Sequence, residues 1–223
     1  MKIRHIEEVS PVASRRLGRY VHHDPRSLEH AAPKAPRLAS IMHHRTVPIF
    51  DQGDLGSCTG NAAAGCMGTR PFEHRCTEAD AVQIYCEATH LDRILGVYPP
   101  DDTGSSGLGV MKALKKRGWI KAYRHAFGLD HALHTLMLGP GITGITWLSG
   151  CDSPDKSGVV RYTGAIRGGH EIQLLGLDVD TKLVWFANSW GASWGKGGLF
   201  AMSFDDYALA LKDDGDATFP GKG

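Results

Sequence analysis

The apolar pattern of this chain changes period at Gly139, and that change limits the architectures open to it. Before Gly139 the apolar residues fall at helical spacing. "SCTGNAAAGCMGTR" reads as a helix with Ser57 as its N-cap and Pro71 limiting its length. Gly60, Gly65 and Gly68 weaken that helix, so it depends on packing for stability. "EADAVQIYCEATHLD" places Ala81, Ile84, Tyr85 and Ala88 on one helical face. "LGVMKALKKRGW" is amphipathic with Gly118 suited to its end, and "LDHALHTLML" predicts a fourth helix. Beyond Gly139 the runs are short and strand-like: "GITGITWL", "VVRYTG", "HEIQLLGLDV", "KLVWFANS" and "GLFAMSF". "VPIF" (47–50) also reads as a strand, ahead of the loop "DQGDLG". Helices followed by strands predict an α+β protein of two lobes. The helical lobe covers about 55–138 and an antiparallel β lobe about 139–212, with a site expected in the cleft between them.

Length and charge set the remaining bounds. The chain has 223 residues, 42% hydrophobic and 22% charged, enough for one sizeable domain, placed here at 46–215. A net charge of +1 gives no support for nucleic acid as a partner. The charge is uneven: residues 1–46 carry +5 and the rest −4. Residues 1–45 therefore read as a basic N-terminal arm, and the plainest expectation is a solvated leader. Residues 213–223 read as a solvated tail. The first residues lack the apolar run of an export signal, and "LHTLMLGPGITGITWL" is too interrupted to cross a membrane. Cys58, Cys66, Cys76, Cys86 and Cys151 are odd in number, which predicts mostly free thiols in a reducing, cytoplasmic setting. A disulfide among some of them stays open. No Cys/His spacing matches a zinc site and no phosphate loop is present, so no metal or cofactor is expected.

The chemistry concentrates around Cys58. A cysteine at a helix N-terminus is more acidic than a free one, and a neighbouring imidazolium lowers its pKa further. Among twelve histidines, His170 is singled out by geometry. A hairpin turn near Asp178–Thr181 brings His170 back beside Asn188. The Asn oxygen can then hold one ring nitrogen and leave the other for a thiol. Trp190 can cover that bond, and Gly168 and Gly169 leave the approach to His170 uncrowded. An acyl-transfer site also needs donors for an oxyanion, and the Cys58 N–H and the neutral Gln52 side chain are the candidates.

This set of residues resembles the papain-like cysteine peptidases. The matching stretches are "DQGDLGSC", "GGHEIQLLGLD" and "NSWGASWGKGGLF", with weaker likeness through "TGSSGLGVMKALKKRGW". The resemblance implies a papain-like two-lobed fold and a Cys58–His170–Asn188 site assisted by Gln52. It also implies that Gly107 and Leu108 supply backbone contacts to a bound peptide, with Gly109 and Val110 near the S2 pocket. Two departures stand out against the C-G-[SA]-C-[WY] pattern: Leu55 replaces the first Cys and Thr59 the aromatic residue. His170 and Asn188 also lie closer to Cys58 than the pattern's roughly 130–150 residues, or at its lower edge. These departures fit a bacterial or viral-type variant without the long inhibitory prosegment, whose residues 1–45 either lie across the cleft or are clipped off.

The expected activity is hydrolysis of peptide bonds, with a peptide or protein as substrate and a thioester acyl-enzyme between the two half-reactions. Two alternatives use the same scaffold: acyl transfer to a non-water acceptor, as in a ligase, and a catalytically silent peptide-binding module. Substrate preference, endo- or exo-action and oligomeric state are not fixed by these residues.

Overall fold

The computed structural model describes residues 2–7 and 16–221. In chain order its elements are β1 (Lys2–His5), β2 (Tyr20–His23), a 3-10 turn at Pro25–His30, β3 (Ile41–Met42) and α1 (Cys58–Met67). Then come α2 (Glu78–Thr89), α3 (Gly107–Lys116), β4 (Ala122–Ala126), α4 (Leu129–Leu136) and β5 (Gly141–Leu148). The chain closes with β6 (Ile166–Asp178), β7 (Leu183–Ala187), β8 (Leu199–Ser203), α5 (Phe204–Lys212) and β9 (Asp216–Gly221).

Helix α1 is buried along its whole length. Its small residues let α2 come close: a Cβ on Gly60 would lie 2.2 Å from the Ala81 carbonyl. Packing therefore compensates for the glycines' poor helix propensity. Ser57 is the N-cap residue, but its hydroxyl accepts from Asn61 Nδ2 at 3.0 Å and caps no backbone N–H. Helix α2 starts in a reciprocal cap, with the Asp80 N–H donating to Thr77 Oγ1 and the Thr77 N–H to Asp80 Oδ2. Ala63, Ile84, Val110 and Leu114 from α1–α3 meet in the core of the helical lobe.

The second core lies on the sheet, where Ile145, Trp147, Leu174, Val184, Phe186 and Phe200 pack together. Seven antiparallel strands form the order β4-β9-β5-β6-β7-β8, with β3 paired to β6. The two-lobed α+β architecture read from the sequence is present. Three local expectations are corrected. "VPIF" is not a strand, because the Arg45 guanidinium takes the Val47 and Pro48 carbonyls that a strand partner would need. "VVRYTG" is irregular, since Arg161 and Thr163 bond with Gly150 in a tight 3-10 turn. The expected tail beyond 213 instead supplies β9, which fills the gap between β4 and β5 and buries Ala217, Thr218 and Phe219. Its last two residues, 222 and 223, lie outside the described residues.

The described part of the N-terminal segment is docked, not solvated. β1 and β2 pair antiparallel, and ion pairs fasten the segment to acidic positions on the body: Arg4 to Asp214, Arg16 to Asp102, Arg19 to Asp216 and Lys34 to Asp130. The uneven charge along the chain thus closes on itself. Residues 1 and 8–15 of the expected arm lie outside the described residues. No described helix is long and apolar enough to cross a membrane, and all five cysteines are free thiols.

Candidate active site

Four segments carry the expected site residues. The loop before α1 carries Gln52, the first turn of α1 carries Cys58, β6 carries His170, and the segment after β7 carries Asn188. β6 and β7 pair with Gln173 opposite Ala187, three residues after His170 and one before Asn188. That register lets His170 Nε2 donate to Asn188 Oδ1 at 2.8 Å, leaving Nδ1 without a hydrogen-bond partner among the described residues. Asn188 Oδ1 also accepts the Ser189 N–H at 2.8 Å, which fixes the amide. The Trp190 ring stacks on the imidazole, with centroids 5.1 Å apart and planes at 26°. Trp147 meets the imidazole edge-on at 5.0 Å and also packs against Trp190 at 5.1 Å. This aromatic wall excludes water from the Asn188–His170 bond.

The Cys58 sulfur lies against the residue that follows His170. The backbone N–H groups of Glu171, Gly18 and Thr59 face it and act to favour the thiolate. Gln52 is held on both ends of its amide: Oε1 accepts from Ser189 Oγ at 2.6 Å, and Nε2 donates to Leu55 O and Arg16 O, each at 2.9 Å. Asp102 supports the loop entering α1 by accepting from the Gly56 N–H at 3.0 Å and the Tyr85 hydroxyl at 2.7 Å.

A strand of the N-terminal segment covers this centre. Arg19 N–H donates to Gly169 O at 3.0 Å on one wall. Tyr20 N–H donates to Ser105 O at 2.7 Å, and Ser105 N–H to Gly18 O at 2.8 Å, on the other. Arg19 and Ser105 form a parallel bridge. The fit is close: a Cβ on Gly18 would lie 2.0 Å from Gly56 O. Under this cover, burial pushes the Cys58 thiol up to about 12, against the backbone donors that favour the thiolate. Burial also depresses His170 to about 4, although its bond to Asn188 acts the other way. Desolvation outweighs the helix N-terminus, so the pair is neutral in this form rather than the expected thiolate and imidazolium.

The residues expected to form the substrate wall lie at the start of a helix. Gly107, Leu108, Gly109 and Val110 form the first turn of α3, where Val110 packs in the helical core. The backbone that pairs with the covering strand is Ser105, because the chain is still extended there and Ser106 caps α3 by accepting from the Gly109 N–H. Gly107 and Leu108 do line a cavity of about 530 Å³ beside the strand. Gly169 contributes its carbonyl, and Trp190 covers His170. Sequence reasoning missed Ser189, Asp102, Glu171 and Arg19. A charged residue inside the apolar run "HEIQLLGL" was the available signal for Glu171. Among the described residues, no group of three or more His, Cys, Asp or Glu is arranged to hold a metal ion.

This arrangement has the papain-like cysteine-protease fold. The chain is similar to xylellain, a cysteine protease from Xylella fastidiosa, with a TM-score of 0.71 at 17% identity, over 94% of this chain and 97% of that one. It is also similar to digestive procathepsin L2 proteinase from Tenebrio molitor larval midgut, with a TM-score of 0.63 at 15% identity, over 93% of this chain and 78% of that one. In sequence, a 50-residue stretch is 46% identical to a cathepsin B-like cysteine proteinase of Schistosoma japonicum, spanning 21% of this chain and 15% of that protein. No protein-family model matches the chain.

Proposed function

We propose that the chain is a cysteine peptidase that hydrolyses peptide bonds through Cys58, His170, Asn188 and Gln52, and that the form described is its closed state. The observation that carries this reading is the oriented imidazole. His170 is fixed through Nε2 by Asn188 and shielded by Trp190, while its unpartnered Nδ1 belongs to a residue whose neighbour Glu171 contacts the Cys58 sulfur.

With the covering strand withdrawn, water and the helix N-terminus favour the thiolate, and His170 takes its proton. The sulfur attacks the peptide carbonyl carbon, and the carbonyl electron pair moves onto oxygen. Gln52 Nε2 and the Cys58 N–H are the donors we assign to that oxyanion, a reading supported by the Arg16 carbonyl that accepts from Gln52 in the closed state. The intermediate collapses as the C–N bond breaks, and His170 gives its proton to the leaving amine. A water then attacks the thioester with His170 as base, releasing the acid and the thiol.

The test is labelling with an epoxide thiol reagent, with the adduct located by mass spectrometry, beside cleavage of a peptide mixture by wild type and Cys58→Ala. Adduct on Cys58 and loss of cleavage in the variant are expected. Full cleavage by Cys58→Ala would end the reading.

A further inference from the structure

Arg19 is a guest in a pocket built by other parts of the chain. Its side chain is 0% exposed. Nη2 donates to Asp216 Oδ2 at 2.5 Å and to the Asp214 carbonyl at 2.9 Å, and Nε lies 4.0 Å from Glu171 Oε2. Glu171 is as deeply buried, and neither of its carboxylate oxygens has a hydrogen-bond partner among the described residues. Nε and Nη1 of Arg19 also lack one. The pocket therefore offers more acceptors than Arg19 uses from its present backbone position.

The walls are cleared for a long side chain. A Cβ on Gly144 would lie 2.2 Å from Arg19 Nε, and one on Gly107 would lie 2.8 Å from Glu171 Oε1. Asp216 and Gly107 also line the cavity of about 530 Å³, so the pocket opens sideways into free space. Its distance from the nucleophile is set by the covering strand. Gly18 packs on the loop that carries the nucleophile, where its Cβ would lie 2.0 Å from Gly56 O, two residues before Cys58, and Arg19 is the next residue along. The Glu171 backbone acts to favour the Cys58 thiolate, and Glu171 follows His170.

We propose that this pocket selects an arginine side chain in the substrate, at the residue next to the one whose carbonyl meets Cys58, with Glu171 and Asp216 as the selecting carboxylates. This rests on the peptidase reading of the same centre. Arg19 is then the pocket's intramolecular stand-in. A planar guanidinium with five donors suits two carboxylates and a carbonyl arranged around it, whereas an ammonium offers a point charge. An uncharged side chain would leave the buried Glu171 and the partly exposed Asp216 without a cation between them. Burial and the nearby Asp216 already push the Glu171 carboxyl well above its usual range, against the pull of Arg19.

The test uses the full chain and its Arg19→Ala variant. Two peptidyl chloromethyl ketones are compared, identical except for arginine or norleucine at the residue next to the one bearing the ketone. The Cys58 sulfur displaces chloride to form a thioether, and its rate reads the pocket whether or not hydrolysis follows. In Arg19→Ala, the arginyl reagent is expected to react about ten- to a hundredfold faster. Adding Glu171→Gln or Asp216→Asn is expected to erase that ratio; Asp216→Asn, at the partly exposed carboxylate, serves where Glu171→Gln does not fold. Equal rates for the two reagents, a preference that survives the loss of the carboxylates, or no labelling of Cys58 by either reagent overturns the proposal. Arginine-selective labelling without any peptide hydrolysis would keep the pocket and remove the peptidase reading. Hydrolysis of a peptide library with no arginine enrichment would do the reverse.

Discussion

Gln52 gives its side-chain amide to the Arg16 carbonyl at 2.9 Å, so a main-chain carbonyl of the covering strand lies at the proposed oxyanion donor. The same nitrogen donates to Leu55 O, and the oxygen end is held by Ser189, which leaves the amide little freedom to turn away. In the Arg19→Ala chain, Gln52→Ala is expected to lower kcat by roughly 10²–10³. Alkylation of Cys58 by iodoacetamide forms no oxyanion and is expected to change by less than about threefold. Steady-state cleavage and mass-spectrometric labelling separate the two. An equal fall in both would make Gln52 a support of the loop.

The two arginines that fasten the strand are not equivalent. Arg19 is fully buried, while the Arg16 side chain is 50% exposed against Asp102. Arg19→Ala leaves buried carboxylates without their cation and is expected to speed iodoacetamide labelling of Cys58 by about a hundredfold or more. Arg16→Ala is expected to give only about two- to fivefold. Added salt should speed labelling of the wild type through the Arg16–Asp102 pair, and Arg16→Ala should lose much of that sensitivity. Time courses of the Cys58 peptide's mass shift check all three.

Labelling also reports ionisation. In the closed chain the Cys58 thiol titrates near 12, so its alkylation rate should keep rising well above pH 9 and show no inflection near neutrality. Withdrawal of the strand in Arg19→Ala removes the burial that holds the thiol up. An inflection at or below neutral pH is the expected result of a rate–pH profile.

His170 makes the closed fold acid-sensitive. Its folded pKa, about 4, lies below the ordinary 6.5, so the folded state resists taking a proton. The resulting stability is complete above about 6.5 and is lost as pH falls through about 4, by about 3 kcal/mol. His22, His43 and His125 are also depressed by burial and act in the same direction. The comparison is therefore between urea midpoints of wild type and His170→Gln at pH 7 and pH 4. The variant should lose less on acidification by about that amount.

Asn188 positions His170. Asn188→Ala removes the acceptor for both His170 Nε2 and the Ser189 N–H. In the Arg19→Ala background it is expected to lower kcat about ten- to a hundredfold with a smaller change in KM, and to shift the acid limb of the pH profile. Stability should fall by about 1–3 kcal/mol, read from urea unfolding, because buried donors lose their partner.

The helices of the first lobe were legible because their signals are local. Thr77 and Asp80 lie three residues apart, and the apolar face of α2 repeats within two turns. β9 was not, because "DATFPG" carries a proline and follows the turn-like "KDDG". Its strand character comes from β4 and β5, far away in sequence. The N-terminal segment showed no periodicity because backbone bonds and ion pairs dock it, rather than an apolar stripe. Gln52, Cys58, His170 and Asn188 stood out because each residue type suits one task in acyl transfer. Arg19 did not, since its meaning depends on Asp216 and Glu171, which only the folded chain brings within reach. That Ser105, rather than Gly107, pairs with the covering strand was not legible, because the start of α3 decides where extended backbone ends.

Leu17 adds a consequence to the covering strand. It is buried among the residues of the β-lobe core, next to the glycine that lies on the sulfur. The plug is therefore tethered and rooted, and dilution does not loosen it. What governs exposure of the thiol is the free energy of a local opening, a quantity that protein concentration leaves untouched but that acid, proteolytic nicking or a competing arginine can alter.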